Sequence, residues 1–127
     1  MIFLKDFPAG SPVGYHRIHE TSRPSRIATL PIGYNDGYGW GLGNRASVLL
    51  RGRRAPVVGA VSMDYTTVDV SDVPGAETGD VVTLAGRDGD EEIRVEDLAR
   101  LLRTIPYEIT CRLGKRVVRV HTGAEGP

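Results

Sequence analysis

Cysteine is all but absent from this sequence: Cys111 stands alone among 127 residues. An internal disulfide is therefore excluded, and the usage fits a reducing, cytoplasmic setting. Charge of one sign is equally lacking, since 16 basic residues balance 16 acidic ones. That balance removes the electrostatic argument for a nucleic acid or an anionic membrane as partner. No apolar run approaches the roughly 20 residues that a membrane-spanning helix needs. The opening stretch, Met1 to Asp6, has neither the basic region nor the long apolar region of a secretion signal. Lysine occurs only at Lys5 and Lys115, and neither sits in the apolar setting that would make a carbonyl-attacking amine. Histidine is equally sparse: His16 and His19 fall on opposite faces of an expected strand and His121 lies in the tail, so a metal site is poorly supported. No Gly-x-Ser-x-Gly elbow is present.

What the sequence does have is short apolar runs punctuated by turn residues. The run that organises it is Ile27-Ala-Thr-Leu-Pro-Ile-Gly-Tyr34-Asn-Asp36-Gly37. Its first half predicts a buried strand. Its second half stops at Asn35-Asp36-Gly37, residues that tolerate left-handed backbone and bond their own main chain. Further strands are expected over Met1–Asp6, Pro12–Glu20, Ala46–Leu50, Ala55–Ser62, Thr66–Val70 and Asp80–Leu84. The acidic stretch Asp88 to Glu92 reads as a hairpin tip, because Ile93 and Ala99 stand where a calcium loop requires glycine and glutamate. The spacing of Val95, Leu98, Leu101 and Leu102 predicts one helix over Val95–Arg103, ended by Pro106. Tyr107–Cys111 and Arg116–Val120 supply the last ordered pieces. The expected fold is mainly β: a small antiparallel barrel or sandwich with one short α-helix. It forms a single domain over 1–127, ordered from about 2 to 121 with a tail over 122–127.

Chemically, the residues offer tyrosines at strand ends (Tyr15, Tyr34, Tyr38 and Tyr107) and two polar turns, at Asn35-Asp36 and Met63-Asp64. A phenol titrates near 10, so it acts as a base only where a cation or dense hydrogen bonding stabilises its anion. The same tyrosines equally suit half-buried packing, and Asn-Asp-Gly equally suits a plain hairpin closure. Composition and spacing stop at a small β domain with a tyrosine-lined site.

Five motifs taken in order go further. They are Val13-Gly-Tyr15, the run Ile27 to Gly37, Ala55-Pro-Val-Val-Gly59 leading into Val61-Ser-Met63-Asp64, Thr104-Ile-Pro-Tyr107-Glu108, and Gly114-Lys-Arg-Val-Val-Arg119-Val. Together they resemble the carboxy-terminal β domain of alanine racemase, from about Phe3 to Val120. That resemblance implies a pyridoxal-phosphate enzyme that interconverts L- and D-alanine in the cytoplasm. In such an enzyme a separate (β/α)8 barrel carries the cofactor lysine, and the β domain of the partner subunit completes the site of a homodimer. It implies Tyr15 as the catalytic base. Met63 becomes the main-chain anchor of the substrate carboxylate, with Asp64 beside it. Tyr34 becomes a substrate-entrance tyrosine, and Tyr107 a contact to the cofactor phosphate or a gate. Asp36 supports the site from its turn. Because the lysine lies outside these 127 residues, the chain by itself is expected to racemise nothing.

The resemblance has departures. Gly39-Trp40 replaces an arginine usual after the second tyrosine, Ala60 stands where arginine is frequent, and Ser62 stands where cysteine is common. Asn35 and Ser62 together resemble broader-specificity and serine-accepting relatives, which keeps a serine or broad-specificity racemase open. Two further readings stand beside it: an interaction module that kept the scaffold and lost catalysis, and an unrelated hydroxyl-ligand β-barrel.

Overall fold

The computed structural model describes residues 3–13 and 19–122. Its centre is strand β4 (Ser25–Leu30), which pairs antiparallel with β1 (Phe3–Phe7) on one side and β7 (Thr66–Asp69) on the other. Side chains alternate between the two faces of a strand, and β4 is apolar on both. Ala28 and Leu30 enter the main core, whereas Ile27 joins a smaller cluster with Val13, Val58 and Phe7. This double burial is why the stretch reads as a continuous apolar run rather than an alternating one.

The main core is closed by the hairpin of β5 (Ser47–Leu50) and β6 (Arg53–Pro56), whose Val48, Leu49 and Leu50 are fully buried. An isolated bridge, Val57↔Val68, joins this layer to β7. A second hairpin, β8 (Gly86–Asp88) with β9 (Glu91–Ile93), carries the acidic tip. The antiparallel sheets fit a β-sandwich, and no closed barrel forms among the described residues. Helix α1 (Val95–Leu102) lays Leu98 and Ala99 into the core, as its apolar stripe requires. Leu102, at its end, packs against Gly39 and Gly41.

Four expectations are corrected. Pro12–Glu20 is not one strand: β2 (Pro12–Val13) and β3 (His19–Glu20) pair antiparallel, so the chain reverses between them. Residues 14–18, and with them the position of Tyr15, lie outside the described residues, as do 1–2 and all of the expected tail except Thr122. The strand expected over Asp80–Leu84 shrinks to a single bridge, in which Leu49 and Thr83 exchange both main-chain hydrogen bonds. The strand expected over Ala55–Ser62 begins earlier, at Arg53, and ends at Pro56; beyond it Val57 donates to Ala46 O at 2.9 Å and turns to bridge Val68 instead. Finally, there are two α-helices rather than one. Pro106 opens helix α2 (Pro106–Cys111), because proline at the first helical position forfeits only an N–H that would be unpaired anyway.

Two details of the scaffold have measurable consequences. Arg51 forks onto Asp80, with Nε donating to Oδ2 at 2.7 Å and Nη2 to Oδ1 at 2.9 Å, and Glu77 N–H adds a third bond at 3.0 Å. Arg51 first, and the Glu77 main chain second, hold the Asp80 carboxyl down at about 2. An unfolded aspartate titrates near 3.9. The stability this contributes is present above about pH 4 and is lost as pH falls towards 2. Denaturant unfolding across that window should show an acid slope that Asp80→Asn flattens; an unchanged slope overturns the assignment.

Tyr38 is 4 % exposed, and its hydroxyl has no hydrogen-bond partner among the described residues. Burial pushes its phenol pKa upward. A buried, unsatisfied hydroxyl costs about 1–3 kcal/mol. Tyr38→Phe should therefore raise unfolding stability by about 1 kcal/mol, measured by denaturant midpoint, and a loss of stability overturns this account.

Candidate functional site

Two turns meet beside the mouth of β4. The first is a 3-10 turn, Tyr34–Asp36, that follows Gly33. Asp36 shapes it by accepting the Gly33 N–H at 3.0 Å, and Gly37, at φ 103°, reverses the chain in the left-handed region open to glycine. The second is Ser62–Tyr65, closed by Ser62: its N–H and Oγ donate to Tyr65 O, each at 2.9 Å, and its Oγ accepts the Tyr65 N–H at 3.0 Å. The turns are joined main chain to main chain, by Tyr34 N–H to Ser62 O and Asn35 N–H to Met63 O, both at 3.0 Å. Gly33 makes this approach possible, since a Cβ there would lie 2.2 Å from Ser62 O and 2.4 Å from Met63 O.

Between the turns opens a cleft of about 410 Å³ lined by Tyr34, Trp40, Ala60, Met63, Asp64 and Tyr65, among others. Its rim is unusually apolar for solvent-facing surface: Tyr34 is 45 %, Trp40 64 %, Met63 53 % and Tyr65 50 % exposed. Contiguous exposed apolar groups of this kind mark a surface that something else covers. Among the described residues, no group accepts the Met63 or Asp64 N–H. The site therefore offers aromatic walls, two main-chain donors without an acceptor among the described residues, and a carboxylate.

Behind the cleft sits a residue that the sequence reading did not select. Arg116 donates from Nε to Asp36 Oδ1 at 2.8 Å, and from Nη2 to Asp36 Oδ2 at 3.0 Å and Asp64 Oδ1 at 2.7 Å. The two carboxylates, Asp36 first, raise its already high pKa further. What points to it is structural: Asp36 is 4 % exposed, and a buried carboxylate needs a cationic partner. Lys5 is not that partner, as it lies over the Phe7 ring at 5.3 Å.

Of the residues singled out from sequence, the structure brings Tyr34, Met63 and Asp64 to one cleft and places Asp36 behind it. Tyr107 does not line the cleft; it stands 77 % exposed on the first turn of α2. Tyr15 falls outside the described residues. Among the described residues no cluster of histidine, cysteine and carboxylates is arranged for a metal, and no helix is long and apolar enough to cross a membrane.

The family described as "Alanine racemase, C-terminal domain" matches residues 1–121. The chain belongs to that family. The domain is 48 % identical over 124 residues to an alanine racemase of Syntrophobacter fumaroxidans, covering 97 % of the chain and 33 % of that protein. It is 49 % identical over 120 residues to one from Symbiobacterium thermophilum, covering 94 % and 32 %. Among solved structures, alanine racemase from D-cycloserine-producing Streptomyces lavendulae superposes with a TM-score of 0.89 at 35 % identity, over 97 % of the domain and 32 % of that chain. Alanine racemase from Bartonella henselae, with covalently bound pyridoxal phosphate, gives 0.85 at 39 % identity, over 92 % and 32 %. The domain thus spans about a third of the length of the curated relatives it matches.

Proposed function

We propose that this domain supplies one wall of the active site of a pyridoxal-phosphate-dependent alanine racemase, a homodimeric enzyme whose cofactor lysine lies on the barrel of the partner subunit. The observation that carries the reading is the joined pair of turns, which sets two main-chain donors that no described residue accepts beside an exposed apolar rim. The residues fit a cofactor held elsewhere. The cleft lining has aromatic faces and main-chain donors but no lysine, so covalent attachment comes from outside this chain while this wall faces the substrate.

Pyridoxal phosphate, when bound, withdraws electrons from the bonds to the substrate α-carbon and so acidifies that centre. This chain's part is to bind, to orient and to move one proton. In the reading proposed here the Met63 N–H donates to the substrate carboxylate and fixes which bond faces each base. Tyr15 removes or returns the α-proton from one face while a base outside this chain serves the other, which is how a stereocentre is inverted. Tyr34, with Trp40 and Tyr65, narrows the entrance and keeps water from the reacting carbon, where excess water would quench or divert the proton. The exposed hydroxyl of Tyr107 is free to contact the cofactor phosphate or to gate the entrance. Assembled with its cofactor-bearing barrel, the domain should support alanine racemisation that depends on the Tyr15 hydroxyl. Ala60 and Ser62 sit in the lining itself, so a competition series of alanine against serine decides between a narrow and a broad racemase.

A further inference from the structure

The Ser62–Tyr65 turn is short, and its tip is exposed: Met63 is 53 % and Tyr65 50 % accessible. A main-chain donor that binds an anion has to be held still, since loose geometry forfeits most of a hydrogen bond. Three devices hold this turn: its own Ser62 bonds, the main-chain seam with residues 34–35, and Arg116.

The Arg116 contact differs in kind from the other two. The guanidinium occupies both oxygens of Asp36, whose side chain is 5 % exposed, and spends a further Nη2 proton on Asp64, 42 % exposed. A buried carboxylate fixes the plane of the fork, and the fork then fixes the exposed one. The segment carrying Arg116 is itself docked, with Gly114 N–H donating to Asp36 O at 3.0 Å. Arg119 closes that segment from the other side, its guanidinium donating to the carbonyls of Leu113 at 3.1 Å and Gly114 at 2.8 Å. Asp64 also carries a negative charge next to the Met63 N–H, and left unpaired it would repel an incoming carboxylate.

We infer that Arg116 is a positioning residue for substrate binding. It ties the Met63–Asp64 turn to the buried Asp36 and offsets the Asp64 charge, so that the Met63 N–H is presented to an amino-acid carboxylate; this inference rests on the function proposed above. Arginine is required because three N–H groups in one plane serve two carboxylates at once, whereas a lysine ammonium is a point charge with no such fork.

The test uses the complete racemase, loaded with cofactor. Arg116→Met should raise the KM for alanine on the order of tenfold, the size of one lost contact to a charged group. Its kcat should change far less, and cofactor absorbance should stay normal, because binding rather than chemistry is loosened. Arg116→Lys should recover only part of the loss. Asp64→Asn placed in the Arg116→Met background should add no further loss, since both changes break one link, and should recover the part of the KM rise that comes from the unpaired Asp64 charge. If Arg116→Met leaves Asp36 too destabilising for folding, the pair Asp36→Asn with Arg116→Met removes that buried charge and carries the same KM expectation. An unchanged KM, or additive losses in the double variant, overturns the role of Arg116 even where Tyr15→Phe abolishes turnover. Normal turnover by Tyr15→Phe overturns instead the underlying reading of the site.

Discussion

Replacing Tyr15 by phenylalanine in the assembled enzyme should lower alanine racemisation by about 10²–10⁴-fold, the range that a positioned general acid–base contributes. Only the hydroxyl is removed, so the fold should be unchanged. Cofactor loading should persist as well, because the function proposed above places its lysine outside this chain. The loss should fall on kcat and kcat/KM together, the signature of an interaction made in the transition state. The pH profile should lose the limb that belongs to the phenol while keeping the limb of the opposing base. Near-normal racemisation would remove Tyr15 from the base role and leave the domain a binding wall.

Gly33→Ala carries the second large effect, for a reason that has nothing to do with backbone freedom. Gly33 sits at φ −147°, ψ −167°, extended backbone that any residue adopts. What forbids a side chain is space, because the methyl carbon would lie 2.2 Å from one carbonyl oxygen and 2.4 Å from the next. Those oxygens belong to main chain, not to a flexible side chain that can swing away. The two turns must therefore part, breaking the seam through Tyr34 and Asn35. Stability should fall by about 3 kcal/mol, the upper end of what overpacking costs. In the complete enzyme the KM for alanine should rise with it, since both faces of the cleft shift. Unfolding midpoints and KM that match the parent would show that the seam is not what shapes the cleft.

Much of this architecture was readable from residues. Strand β4 announced itself by a run apolar on both faces, and α1 by a stripe at helical spacing whose Leu98 is 5 % exposed. The turn after β4 was legible because Asn35-Asp36-Gly37 favour it chemically, and Asp36 does cap Gly33. Misreadings came where one residue carries two meanings. Pro106 reads as a terminator in sequence, although the same ring geometry suits the start of α2. Pro12–Glu20 alternated well enough to pass for one strand, but alternation cannot reveal a reversal that pairs Val13 with His19. Arg116 escaped notice because its value lies in partners 80 and 52 positions away, and no local pattern records them. A buried Asp36 demands a cation without saying which one. The family match adds strong identity along nearly the whole chain, and the proposed roles of individual residues are what the tests above decide.

The fork joining residues 36, 64 and 116 also sets an order of events during synthesis. A chain emerging from the ribosome presents Tyr34, Trp40 and Met63 well before Arg116 arrives to clamp the turns beneath them. Contacts of such long sequence separation form late, because the loop between them must close first. Nascent domains should therefore pass through an interval with a sticky, half-built rim, the kind of intermediate that chaperones shield. Arrival of Arg116 is then the step that fixes the two turns beneath the rim.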